Sequence, residues 1–169
     1  MKTKLIMTAL ISLLIISCDN TNDIKIGNGL EIYLTKTPYS SVTYLKTFNL
    51  DTVALMNDPL LRYKDIESYD SLIYKMTLKI SHDSLKIGDA SVHGRMFIVT
   101  IDGKPIYYGF KIPIISSVGV SSVYINEPYE SLDNLKNNEI VFSLRPKISP
   151  DPRNDKRIID LLKKDKKLK

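Results

Sequence analysis

The hydrophobic pattern along the chain has three regimes. Leu5 to Ile16 is an apolar run with no alternation. Residues 19–29 are polar, carry two glycines and show no period. From Leu30 onward, short apolar–polar alternations recur between turn signals, which predicts strands. Leu30–Thr35 is the first such stretch, and Thr37-Pro38 breaks it. Residues 42–58 fit either a short strand or a helical turn, with Val53, Leu55 and Met56 as their apolar positions and Asp58-Pro59 as their end. Beyond a turn at Tyr69-Asp70-Ser71, the run Ile73–Ile80 alternates, with Tyr74, Met76, Leu78 and Ile80 on one face. Ser81 or Asp83 is placed to cap a short helix through Ala90, with Leu85 as its buried contact.

The strongest local signal is Met96–Ile101, Asp102-Gly103, then Lys104–Tyr108. Asp-Gly between β-prone runs predicts a two-residue hairpin turn, because both positions accept positive φ. Pro105 cannot donate to a ladder and belongs where its missing N–H faces outward. Val118–Ile125 and Glu139–Leu144 add two more strands. The pattern predicts a small α+β domain, residues 30–148, with a largely antiparallel sheet of about six or seven strands and one or two short helices. Residues 149–169 are predicted to form a proline-stiffened linker and a basic C-terminal helix capped by Asn154 or Asp155. The apolar stripe of that helix, Ile158, Ile159, Leu161 and Leu162, is narrow. It suits a solvated, fraying helix, or one whose lysines meet anionic lipid headgroups or an acidic partner.

The only cysteine, Cys18, closes the apolar run as Ile15-Ile16-Ser17-Cys18, behind Lys2 and Lys4. This resembles the lipobox of bacterial lipoproteins. The run falls short of the roughly 20 apolar residues of a membrane-spanning helix and has signal-peptide length. The resemblance implies that residues 1–17 are a signal peptide. It also implies that the Cys18 thiol carries a diacylglycerol thioether, with a third acyl chain such as palmitate on the new N-terminus in many bacteria. The partner is then the lipid bilayer, and the folded part lies in the cell envelope, outside the cytoplasm. Residues 18–29 read as a flexible tether. Asp19 resembles the inner-membrane retention signal of enteric bacteria, a rule restricted to some phyla, so the inner and the outer membrane both stay open.

Charge sharpens the picture once it is divided. The net +5 of the chain includes Lys2 and Lys4. Residues 151–169 hold eight basic and four acidic side chains, whereas residues 18–150 hold 14 basic and 15 acidic. The basic character therefore belongs to the tail. A nucleic-acid role, which needs a basic face on a folded module, is disfavoured.

Catalytic chemistry is thinly represented. His82 and His93 are the only histidines. Ser81-His82-Asp83-Ser84 strings together hydroxyl, imidazole and carboxylate, but a triad needs convergence in space, and sequence neighbours usually point apart. The simpler reading is a polar helix start; a hydrolase using His82 or His93 is the alternative. A metal site built from the two histidines with Asp83 or Asp89 lacks the close ligand pairs of zinc centres. No cofactor motif occurs. Tyr107, Tyr108, Tyr124 and Tyr129 are candidates for a binding surface, since tyrosine gives contact area and a hydrogen bond, although tyrosine also fills half-buried sheet positions.

Residues 81–117, with Phe97–Pro105 at their centre, are similar to the head part of the large periplasmic domain of SecD, a protein-export accessory. They share a short helix, a glycine, an apolar strand, Asp-Gly-Lys, a second strand and a proline-containing exit. The resemblance implies a small α+β fold and a surface that meets polypeptides, and no catalytic residue. The function expected from the sequence is thus a membrane-anchored envelope lipoprotein with a non-catalytic binding or accessory module. An export or assembly accessory is its alternative.

Overall fold

The computed structural model describes residues 27–39, 48–85, 94–113, 116, 120–127, 135–147 and 149–169. Among the described residues, eight strands form two sheets: β1 (Leu30–Leu34), β2 (Ile66–Asp70), β3 (Lys75–Leu78), β4 (Arg95–Ile101), β5 (Lys104–Pro113), β6 (Ser122–Glu127), β7 (Glu139–Val141) and β8 (Ser143–Arg145). One α-helix, α1 (Lys156–Lys164), follows. The larger sheet has the order β1-β4-β5-β6-β8, and the smaller β2-β3-β7. Every pair is antiparallel except β5–β6. The α+β class and the antiparallel character agree with the sequence pattern. The expectation of six or seven strands is corrected to eight among the described residues, divided between two sheets.

The division happens at one residue. Glu139–Leu144, expected as one strand, is two. β7 pairs with β3 and β8 with β6, and Phe142 between them belongs to neither ladder. Its ring is 1% exposed and meets Phe97 edge to face, with centroids 6.2 Å apart. Phe97 lies directly over Gly109, its register partner on β5, where a Cβ would sit 2.3 Å from the ring. Glycine is required there because the ring occupies the space a side chain would take.

The larger sheet is covered on both faces. One face carries Leu30, Ile32, Leu34, Phe97, Val99, Tyr107, Val123 and Ile125 into the main core, shared with the smaller sheet and α1. The other carries Tyr33, Met96, Ile98, Phe110 and Ile112 under Tyr39, Phe48, Leu50 and Val53. Burial on both sides explains why β4 reads as a continuous apolar run. It also explains β1, in which all five residues are buried although the sequence alternates. Glu31 and Tyr33 take their polar groups inside together, the phenol donating to Oε2 of Glu31 at 2.7 Å. In the described part of the segment expected as strand or helical turn, Leu50–Thr52 form a 3-10 turn and Met56 N–H donates to Leu34 O at the β1 edge; just beyond the segment, Leu60 N–H donates to Ile32 O.

Turn chemistry sets the remaining geometry. Asp102 and Gly103 have φ of 48° and 74° between β4 and β5. Pro105 sits at a register shift, on a stretch of β5 beyond its pairing with β6. There its missing donor costs no ladder bond on the β6 side. The strand expected from Ile73 begins only at Lys75. The Asp70 carboxylate accepts from Leu72 N–H at 2.9 Å and Tyr74 turns at φ 56°, so Leu72 and Ile73 are left exposed at the turn. Residues 82–84 form a 3-10 turn and Leu85 is buried; the rest of the expected helix lies outside the described residues.

The tail differs most from expectation. Asp155 caps α1 by accepting from Arg157 N–H at 2.9 Å. Ile158 and Leu162, at 4% and 0% exposure, enter the main core instead of facing solvent. Beyond the helix, Tyr69 N–H donates to Lys167 O and Lys169 N–H to Tyr69 O, each at 2.8 Å, so the chain lies parallel beside β2. A narrow stripe is sufficient because only one ridge of the helix meets the sheets.

Candidate functional site

The residues singled out by chemistry do not gather in one place. Cys18, His93 and Tyr129 lie outside the described residues. His82 is 4% exposed, in the 3-10 turn, with its N–H donating to Asn137 O at 2.8 Å. Tyr107 and Tyr108 are neighbours on β5 and therefore face opposite sides of the sheet. Tyr107 is buried in the main core, where burial pushes its phenol well above the ordinary value. Tyr108 packs on the other side, 5.0 Å from the Phe48 ring, and Tyr124 joins that second cluster. The expected tyrosine surface is corrected on this point: Tyr107 is a core residue and shares no face with Tyr108.

The main polar constellation is one the sequence reading missed. Asp151-Pro152-Arg153 and Asp155-Lys156-Arg157 repeat one motif. In each, the aspartate accepts from the backbone N–H and the guanidinium of the arginine two residues on. Arg153 donates through N, Nε and Nη2 at 3.0, 3.0 and 2.6 Å. The Arg157 distances are 2.9, 2.9 and 2.7 Å. Their settings differ. Arg157 is exposed, where an ion pair contributes roughly 0–1 kcal/mol. Arg153 is 9% exposed; it also donates to Phe142 O at 2.7 Å and lies 3.4 Å from the Tyr74 ring centroid. Tyr69 OH donates to Arg153 O at 3.4 Å. The fork thus ties the approach to α1 to the crossing between the sheets. The sequence signal was present as Pro-Asp-Pro-Arg before an amphipathic helix, but a turn motif says nothing of its own burial.

Around Arg153, Tyr69, Tyr107, Phe142 and Leu162 is a cavity of about 10 Å³, room for about one water. It is too small for a substrate. A second hollow of about 320 Å³ opens at the surface, lined by Leu34, Met56, Asp58, Pro59, Leu60 and Ser84. Its size suits a small ligand or a side chain of a partner. Its one carboxylate, Asp58, pairs with Arg62 at 3.2 Å. Among the described residues, no three His, Cys, Asp or Glu side chains converge as metal ligands.

Three carboxylates make stability depend on acid: Asp155, held below its ordinary 3.8 by the Arg157 side chain, and the more buried Glu139 and Asp151. On Glu139, the hydrogen bonds from Lys75 Nζ at 2.9 Å and Lys136 N–H at 3.1 Å hold the pKa below its ordinary 4.5. On Asp151, burial works upward, but the bonds from the Arg153 side chain and backbone outweigh it and hold the pKa below 3.8. All three groups are depressed in the folded state. Their stabilisation is complete above the unfolded values and is lost as pH falls through the folded ones. The urea midpoint should therefore be flat between about pH 5 and about pH 9 and fall steeply below about pH 4. Asp151→Asn should lower the neutral midpoint and make the acid fall shallower. A mutant acid profile parallel to wild type would show that Asp151 does not carry the effect.

No protein-family model, curated protein or solved structure matches the chain. Among the described residues, no helix is long and apolar enough to cross a membrane.

Proposed function

We propose that the protein is a lipid-anchored envelope lipoprotein whose small α+β domain is a non-catalytic binding or accessory module. The observation that carries the anchor is Ile15-Ile16-Ser17-Cys18, with the one cysteine of the chain at the position where a lipobox is acylated. Two or more acyl chains give stable anchoring at about 0.8 kcal/mol per buried methylene. The binding role is supported by the surface hollow beside Met56 and Leu60. Arg153 and Asp151 are occupied with each other and with backbone, which makes them a structural fastening.

Cys18→Ser should abolish incorporation of a fatty-acid analogue in living cells and leave the melting of the folded part unchanged. Labelling of the mutant equal to wild type would remove the lipobox assignment.

A further inference from the structure

The point at which the chain enters the fold has a distinctive charge. Gly29 N–H donates to Asp102 Oδ1 at 2.7 Å, and Asp102 N–H returns a bond to Gly29 O, so β1 begins beside the β4–β5 turn. Gly29 also lies against the Tyr63 ring. Tyr63 OH donates to Asp165 Oδ2 at 2.8 Å, and Lys167 Nζ donates to Tyr63 O and Ile66 O at 2.8 and 2.6 Å. These bonds bring the start of β1, the β4–β5 turn, the 63–65 turn and the C-terminal end of α1 to one end of the domain.

That end is rich in lysine. Lys64, Lys79, Lys104, Lys163, Lys164 and Lys166 are all exposed there, and Lys169 follows beside Tyr69. Four carboxylates share the end: Asp65, Glu67, Asp102 and Asp165. Two of these are engaged, Asp102 by the Gly29 N–H and Asp165 by the Tyr63 hydroxyl. The exposed apolar pair, Leu72 and Ile73, sits at the opposite end of β2, away from Tyr63.

We infer that this lysine-rich end docks on anionic phospholipid headgroups, so that the domain stands on the membrane with the β2–β3 turn pointing away. The inference rests on the anchor at Cys18. The occupant follows from charge and from covalent reach. Eleven residues separate Cys18 from Leu30 and span at most about 40 Å fully extended. The lysine end is where that segment joins the fold, so it is the part of the domain held nearest the bilayer. Lysines near an anionic leaflet each raise surface occupancy roughly fivefold, and salt removes the effect.

The test uses the protein recovered from the membrane fraction and reconstituted on vesicles of phosphatidylcholine alone or mixed with phosphatidylglycerol. Flotation reports anchoring. Reactivity of each lysine toward an amine reagent, read by mass spectrometry, reports docking. Lys104, Lys163 and Lys164 should react more slowly on the anionic vesicles, while Lys36 and Lys156, away from this end, should not change. Raising salt from about 0.1 M to about 1 M should erase the difference. The triple variant Lys104→Gln, Lys163→Gln, Lys164→Gln should remove the protection of Lys64 and Lys166, and Leu72→Ser with Ile73→Ser should not. Flotation on both vesicles with equal reactivity would keep the anchor and overturn the docking, leaving the lysines for an acidic polypeptide. Flotation on anionic vesicles alone, with the protection pattern intact, would overturn the anchor and support the docking. Flotation on neither would overturn both.

Discussion

A chain ending at Pro150 should fail to fold: near-UV circular dichroism and a cooperative melt should both be lost. The deleted residues look dispensable by composition, being mostly charged. In the structure they provide Ile158 and Leu162 to the main core, worth about 1.5–3 kcal/mol each. They also provide the Arg153 fork on Phe142 O, the two backbone bonds to Tyr69, and Lys167, whose ammonium bonds two carbonyls and lies 4.1 Å from the Tyr63 ring centroid. Removing all of these takes away a sum comparable with the roughly 5–15 kcal/mol of a whole domain. It also opens the floor of the core between the sheets. The single change Leu162→Ala should cost about 2–5 kcal/mol by itself, since the side chain is fully buried. A truncated chain that melts as wild type would mean that α1 is an appendage and that the sheets close without it.

The parts of the fold legible in the sequence are those fixed by local chemistry. Asp102-Gly103 is readable because positive φ at two successive positions selects few residues. Asp155 as a cap is readable because a side-chain oxygen before an amphipathic run satisfies a free helix N–H. The face of Met76 and Leu78 follows from period alone, whereas β5 runs on to Pro113, past the expected end at Tyr108. What stayed hidden depends on partners distant in sequence. Glu139–Leu144 alternates well enough for one strand, and nothing in six residues reveals that its halves join different sheets. Leu30–Thr35 looks half exposed because Glu31 and Tyr33 are polar, yet they satisfy each other inside. The α1 stripe looks too thin for a core helix, and only the presence of a sheet on either side of Phe142 makes it sufficient. Among candidate site residues, the alternation rule already separates Tyr107 from Tyr108 once both are placed on one strand. The Pro-Asp-Pro-Arg turn around Arg153 was visible, but its burial was not, because burial of a turn arginine is decided by what packs over it.

The crossing at Phe142 should be the most sensitive single position in the body. Phe142→Ala should lower stability by about 3–5 kcal/mol, measured by urea denaturation, as for other fully buried aromatic truncations. The reason is the number of elements that meet there. The ring packs edge to face on Phe97, which is itself seated over Gly109. Phe142 N–H donates to Tyr74 O at 3.0 Å, and its carbonyl accepts from Arg153. Alanine keeps both backbone bonds and removes only the ring, so the measured loss isolates packing between the sheets. Phe142→Leu fills most of the space and should cost less than half as much. A double-mutant cycle with Phe97→Leu should return a coupling of about 0.5–1.5 kcal/mol, the range for aromatic pairs. Gly109→Ala would press a methyl group into the Phe97 ring and should displace it toward Phe142, so its cost should fall when Phe142 is already leucine. A loss below about 1 kcal/mol for Phe142→Ala, the level of an ordinary surface change, would show that the two sheets are held together elsewhere.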